Sequence, residues 1–259
     1  MKKEQLLKFY EQGYRNFTGV NLDGVDLSGV MLIGVNLTEA SLIGANLSRS
    51  FLTKSNFSQA NLNRANFNFA KMSEVNLQQA DLTKANLEGA FMVESELSQA
   101  KLSGANLSYT NLRSANLSEA YICAAKLKKV NLRQANLNGT NLNWSNLQEA
   151  RLTRAQLQNV SWTGVNLSQT FLIDVDFSGA DLSEVNFSGA NLKGANLSHV
   201  NLSDANLRGA LLDKAILNNT KLVRANLNDT ILEADIVNWQ KLFCPLPATN
   251  VWGMQHQIA

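Results

Sequence analysis

The sequence predicts an all-β chain, a parallel solenoid wound from a five-residue repeat, and three observations predict it. Every position ending in 2 or 7 from Phe17 to Leu232 is a large apolar residue, 44 in succession, of which 35 are Leu and the rest five Phe, Met72, Met92, Ile122 and Trp162. Two residues before each sits Ala, Val, Ser or Thr in 43 of the 44 cases, Arg15 being the exception. Between them lies Asn or Asp in 27 of the 44. Ala45-Asn46-Leu47-Ser48-Arg49 is a clean copy of the unit.

A helix does not account for this spacing. At about 100° per residue each leucine would land about 140° from the last, and no face would be apolar. A short strand does account for it. Small–polar–Leu is the in–out–in alternation of a half-buried strand, and the two remaining residues turn a corner. If four pentapeptides close one coil, residues 20 apart share a column. The column from Asp26 through Asn46 to Asn226 is Asn or Asp in 10 of 11 places, broken only by Lys126, whereas the column from Met31 through Phe51 to Ile231 is Asn in only 3 of 11. Such segregation fits a four-sided coil of 20 residues and would be scrambled at a period of 15. Eleven coils at about 4.8 Å make a rod of roughly 50 Å. Each coil buries its neighbours, so stability is a sum over nearest-neighbour interfaces. Proline would remove a ladder donor, and both prolines, Pro245 and Pro247, follow the repeats.

At this point the chain resembles the pentapeptide-repeat family, over residues 15–234. That resemblance implies a right-handed quadrilateral β-helix, and the handedness rests on it alone. The open ends of such a coil are strand edges that need covering. Residues 1–14 are expected to supply an N-terminal capping helix over 2–12, with Leu6, Phe9, Tyr10 and Leu7 as its apolar stripe and Gly13 at the C′ position. The stretch from Leu6 to Tyr10, with Arg15-Asn16-Phe17, is similar to the N-terminal caps of cyanobacterial members that regulate heterocyst differentiation. Residues 235–259 are expected to hold a C-terminal capping helix through Ile236, Trp239 and Phe243, stopped by Pro245, then an irregular tail. The tail carries Val251, Trp252, Met254 and Ile258 and has three readings: a lid on the last coil, a dimer contact, or disorder.

Composition narrows the functional classes. Net charge is +2, from 23 basic and 21 acidic residues, so no strong field for nucleic acid or membranes is present. Cys123 and Cys244 have neither metal-ligand nor disulfide spacing. No signal-peptide core or membrane-length apolar run occurs, and the expected location is cytoplasmic. His199 and His256 lie far apart in sequence, and His199 falls at a corner facing solvent. Cys123 stands at a Ser-like outward site beside Tyr121 with no His, Asp or Lys partner in register. No catalytic, cofactor or metal residues are expected, and the asparagines read as outward residues serving corner backbone groups.

Function is therefore expected on an outer face. The face poorest in Asn carries Met31, Ile33, Phe51, Phe91, Val93, Phe171 and Ile173 at positions expected to point to water. Within it Arg113 and Arg133 share a column on successive coils, and Arg151 and Arg154 follow on the next. Like charges about 5 Å apart repel, which invites an acidic partner or an anion. Lys126, Lys128 and Lys129 lie on the preceding side. The competing readings are aromatics packed along the rod and solvated cations balanced by Glu119 and Glu149. Arg113, Arg133, Arg151, Arg154, Phe51, Phe91 and Phe171 form the candidate partner-binding set, and the expected partner is another protein rather than nucleic acid or a membrane. The oligomeric state is open between a monomer and a dimer through the tail. The resemblance implies a second function, a DNA-mimicking topoisomerase inhibitor, but mimicry needs a strongly negative rod. One internal anomaly remains: Trp162 stands at a Leu position between Leu142 and Leu182, so a bulge near 160–164, or an indole turned outward, is expected.

Overall fold

A computed structural model describes residues 1–232; the expected helix through Ile236, Trp239 and Phe243 and the tail beyond it lie outside the described residues. The chain enters through α1, Lys3–Glu11. Its Leu6 is fully buried against the first coil, and Leu7, Phe9 and Tyr10 pack beside it. The helix stops in a Schellman motif. Gly13 turns at φ +91°, its N–H donates to Tyr10 O at 3.0 Å, and the Tyr14 N–H donates to Phe9 O at 3.0 Å. The accompanying apolar contact is the Phe9–Tyr14 pair, 5.5 Å between ring centres. Arg15, the misfit at a small position, stays exposed, stacks 3.8 Å over Tyr10 and donates to the carbonyls of Tyr10 and Tyr14.

From Asn16 to Leu211 each outward residue bridges in parallel to the residue 20 ahead, with two exceptions, Gln156 and Ser161. Four bridges per 20 residues make four sides, named here by their columns: the asparagine side (26, 46, 66 and onward), the arginine side (31, 51, 71), a third side (36, 56, 76) and a fourth (21, 41, 61). The ladder is regular because every coil offers the same groups: Leu47 N–H donates to Asn66 O, and Asn66 N–H donates to Ala45 O.

The corners explain the rest of the motif. The last residue of each pentapeptide from Gly19 to Asp229 has positive φ, and the next small residue's N–H usually closes the turn onto the leucine carbonyl, as Ala45 does on Leu42 at 3.0 Å. This is the type II pattern, with the left-handed residue third. Asn and Asp are favoured before it because their Oδ1 accepts the N–H two residues on, as in Ser58 N–H to Asn56 at 2.9 Å. The asparagine Nδ2 then donates to the Oδ1 one coil back, at 3.1 Å from Asn66 to Asn46 and 2.9 Å from Asn131 to Asn111. One residue type thus pins the corner and ties coil to coil.

The leucines meet along the axis with the small residues behind them. Fully burying one such side chain contributes about 1.5–3 kcal/mol. Polar residues at the small position are satisfied internally: Thr110 and Thr140 donate to Leu87 O at 2.8 Å and Leu117 O at 2.9 Å. Phenylalanine is tolerated, since Phe57 faces Phe67 edge-on at 6.2 Å with the ladder intact on both.

Trp162 behaves differently. It stays in the core at 3% exposure, 5.5 Å from Phe177, and among the described residues its indole Nε1 has no hydrogen-bond partner. The expected bulge within 160–164 does not form, because the spacing of five holds through it. The strain is released between coils instead: the Gln156–Asp176 and Ser161–Asp181 bridges are missing.

Candidate functional site

The arginine side is one bridged column, running Met31–Phe51–Lys71–Phe91–Asn111–Asn131–Arg151–Phe171–Asn191–Leu211–Ile231. Phe51, Phe91 and Phe171 are 42%, 41% and 42% exposed, and Met31 is exposed at the N-terminal end. Cations lie near the rings along the column: Lys71 Nζ is 5.7 Å from the Phe91 centre and Arg151 Cζ 5.8 Å from that of Phe171. The regular strand pitch, about 4.8 Å, keeps these side chains in line.

Arg113 and Arg133 stand exposed at the corner position of this side on successive coils. The Arg133 Nε donates to Asn131 Oδ1 at 3.1 Å, which lays its guanidinium along the face. Arg154 is exposed at the next corner position, where φ is +59°. Among the described residues none of these four arginines is in an ion pair. Asp174 occupies Arg154's corner position one coil on, yet its Oδ1 leans over Gly194 instead, 2.5 Å from where a Cβ would stand.

The lysines of the preceding side contrast with them. Lys128 and Lys129 both reach Glu149, at 3.5 and 3.2 Å, and Lys129, with Lys128 behind it, holds the Glu149 carboxyl below its ordinary range. Two predicted cations therefore share one carboxylate, which balances one of their two charges. Val93 departs from expectation as well: it is 8% exposed. Ser73 and Arg113 hold the same corner position one coil away on either side, and so short a side chain does not project beyond that column. Ile173 is only partly exposed.

Three aromatic residues absent from the sequence-based set stand at left-handed corners, Phe69, Tyr109 and Trp144, exposed by 52%, 54% and 65%. Phe69 and Trp144 fold over Gly89 and Gly164 on the next coil, and Lys129 lies 5.9 Å from the Tyr109 ring centre. The signal that could have found them is their place in the repeat, because a side chain at the left-handed corner has no route inward.

Among the described residues no cluster of His, Cys, Asp or Glu could hold a metal ion, and no helix is long and apolar enough to cross a membrane. Cys123 is partly exposed.

The family profile described as pentapeptide repeats matches in eight copies, over residues 16–49, 40–79, 80–118, 115–154, 150–189 and 190–229. The chain belongs to the pentapeptide-repeat family. The fold of that family is a right-handed β-helical solenoid. Among solved structures the chain is similar to HetL, a pentapeptide-repeat protein involved in heterocyst differentiation regulation from Nostoc sp. strain PCC 7120, at 33% identity over 90% of this chain and 97% of that one, with a TM-score of 0.45. It is also similar to Rfr23 from the cyanobacterium Cyanothece 51142, at 26% identity over 62% of this chain and 92% of that one, TM-score 0.20. QnrB1, a plasmid-mediated fluoroquinolone resistance protein, matches at 18% identity over 74% of this chain and 91% of that one, TM-score 0.39. No curated protein matches the chain.

Proposed function

We propose that this pentapeptide-repeat protein is a non-catalytic regulatory scaffold that docks an acidic protein surface on its arginine side. The observation that carries the reading is the set Arg113, Arg133, Arg151 and Arg154, exposed on neighbouring coils and outside every ion pair among the described residues, with Phe91 and Phe171 exposed on the same face. Arginine beside aromatic rings is the composition of interface anchors, the guanidinium binding carboxylates in pairs while the rings exclude water. A ladder of identical strands holds these groups at fixed pitch, so little ordering cost is left for binding. The regulatory part is taken by analogy with HetL, whose described role is regulation of heterocyst differentiation.

The test is affinity capture from the native cell with the wild type, with Arg113/Arg133/Arg151→Glu, and with a control reversal of Lys101 and Lys221 on the fourth side. A partner held by the wild type and the control but lost with the arginine variant is the expected result. Equal recovery with all three proteins refutes the docking face. Gyrase inhibition by DNA mimicry is the reading this surface disfavours, since the net charge is +2 and the cations are displayed; potent inhibition in a supercoiling assay would reverse that ranking.

A further inference from the structure

Among the described residues the ladder parts in one place. On the third and fourth sides the coil holding Leu157 and Trp162 is not bonded to the coil above it, whereas Leu152 N–H still donates to Phe171 O and Leu167 N–H to Asn186 O on the other two sides, at 2.9 and 2.8 Å. The Asn186 N–H bond to Val165 O, next to the gap, is stretched to 3.4 Å. The result is a wedge-shaped seam of about 450 Å³, lined by Leu157, Val160, Asp176, Phe177, Ala180 and Asp181 among others. Sites that take ligands span about 300–1,000 Å³.

Both lips of the seam carry unused strand groups. By the register kept elsewhere, Leu157 and Trp162 would donate to the carbonyls of Asp176 and Asp181, and the N–H groups of those two aspartates to Ala155 and Val160; among the described residues none of these four bonds forms. A strand edge of this kind templates another strand. The outward residues on the upper lip are Asp176 and Asp181, each accepting from its own turn and from Asn196 or Asn201 above. A ladder running in this direction asks its first residue only to accept, which a carboxylate can do. Both aspartates are exposed, and the lining holds no basic side chain; Lys221, further along the fourth side, is the cation that acts on Asp181.

We infer that this seam is a strand-addition site for an extended cationic peptide segment, whose backbone pairs with the two lips and whose Lys or Arg side chains meet Asp176 and Asp181. The site is separate from the arginine side and would take a partner segment of opposite charge.

The test is NMR of the full ¹⁵N-labelled chain titrated with Lys-Val-Lys-Val-Lys and with Glu-Val-Glu-Val-Glu. The lysine peptide should shift the amides of Leu157, Trp162, Asp176 and Asp181 saturably and slow their hydrogen exchange by about tenfold, with the glutamate peptide inert. Trp162→Leu, which restores the ordinary core residue and closes the seam, should abolish the shifts. Asp176→Asn/Asp181→Asn should leave the seam open but weaken binding and flatten its salt dependence. The inference fails if the lysine peptide leaves those amides unmoved, or if Trp162→Leu binds it as well as the wild type. It fails if binding survives the double Asn change unaltered, or if the seam amides of the free protein are already protected by the chain's own residues. Self-association that Trp162→Leu removes would also overturn it, by making a second copy the occupant.

Discussion

Replacing Trp162 by Leu should make the solenoid more stable, although it deletes a large buried side chain. Closing the seam restores the four ladder bonds among Leu157, residue 162, Asp176, Asp181, Ala155 and Val160 that the rest of the rod possesses. At about 0.5–1.5 kcal/mol each, net of exchange with water, they contribute roughly 2–6 kcal/mol, with the low end apt because the open lips are already hydrated. Removing the partnerless indole N–H adds about 1–3 kcal/mol. The smaller side chain gives up about 2 kcal/mol of buried ring surface at roughly 25 cal/mol per Å². The balance is a gain of about 1–3 kcal/mol. A solenoid opens locally, so the decisive measurement is native-state hydrogen exchange at Leu157, Asp176 and Asp181, with the urea midpoint by circular dichroism as the global check. Seam amides that exchange as fast in the variant as in the wild type would refute the claim that the indole holds the coils apart. So would a loss of more than about 1 kcal/mol in stability, which is the ordinary cost of a core truncation.

Three further outcomes follow from the geometry. Gly89→Ala should destabilise more than Gly104→Ala, although both glycines are left-handed, because the new Cβ at 89 would stand 2.4 Å from the Phe69 ring whereas the nearest atom at 104 is Lys84 Cγ at 3.6 Å; a difference of about 0.5–1 kcal/mol in chemical denaturation is expected, the exposed ring being able to swing aside. Leu107→Ala, in the fully buried column, should cost about 2–5 kcal/mol, and Ser108→Ala beside it under about 0.5 kcal/mol. Ser183, through its hydroxyl and its N–H, together with Asn201 and Lys221, holds the Asp181 carboxyl below its ordinary range. A lowered folded-state value means that the contribution is complete above the unfolded-state value and is lost as pH falls through the folded one. Asp181→Asn should therefore flatten the acid limb of the stability profile below about pH 4 by removing, at neutral pH, the contribution that the wild type loses on acidification; an unaltered acid limb would rule out Asp181 as its source.

Much of the fold was legible because the pattern is strict. A leucine every fifth residue excludes a helix by angle alone, and the segregation of Asn into one column of period 20 reports four sides. Arg15 shows where single-residue reasoning stops: it breaks the pattern, and the pattern does not say that it stacks on Tyr10 of the cap. The arginine side was legible as a column, since register follows from counting. Its charge state was not, because Lys128 and Lys129 meet Glu149 one coil away while Asp174 turns from Arg154 toward Gly194. Side-chain direction at a corner depends on which neighbour is glycine, and that is a matter of rotamers and not of register. Asp176 and Asp181 did not by themselves mark the seam, because Glu96 and Asp81 stand at the equivalent outward positions of the third and fourth sides with the ladder unbroken.

Repeat spacing and residue size were enough to decide the strand, the corner, the number of sides and which faces could carry function, because each of these is a count along the chain. Where the rod comes apart was decided in three dimensions. An indole too large for a leucine's place could have bulged its own strand or turned outward, and it parts two neighbouring coils because, among those responses, only that one keeps the ring buried and every left-handed corner residue in place.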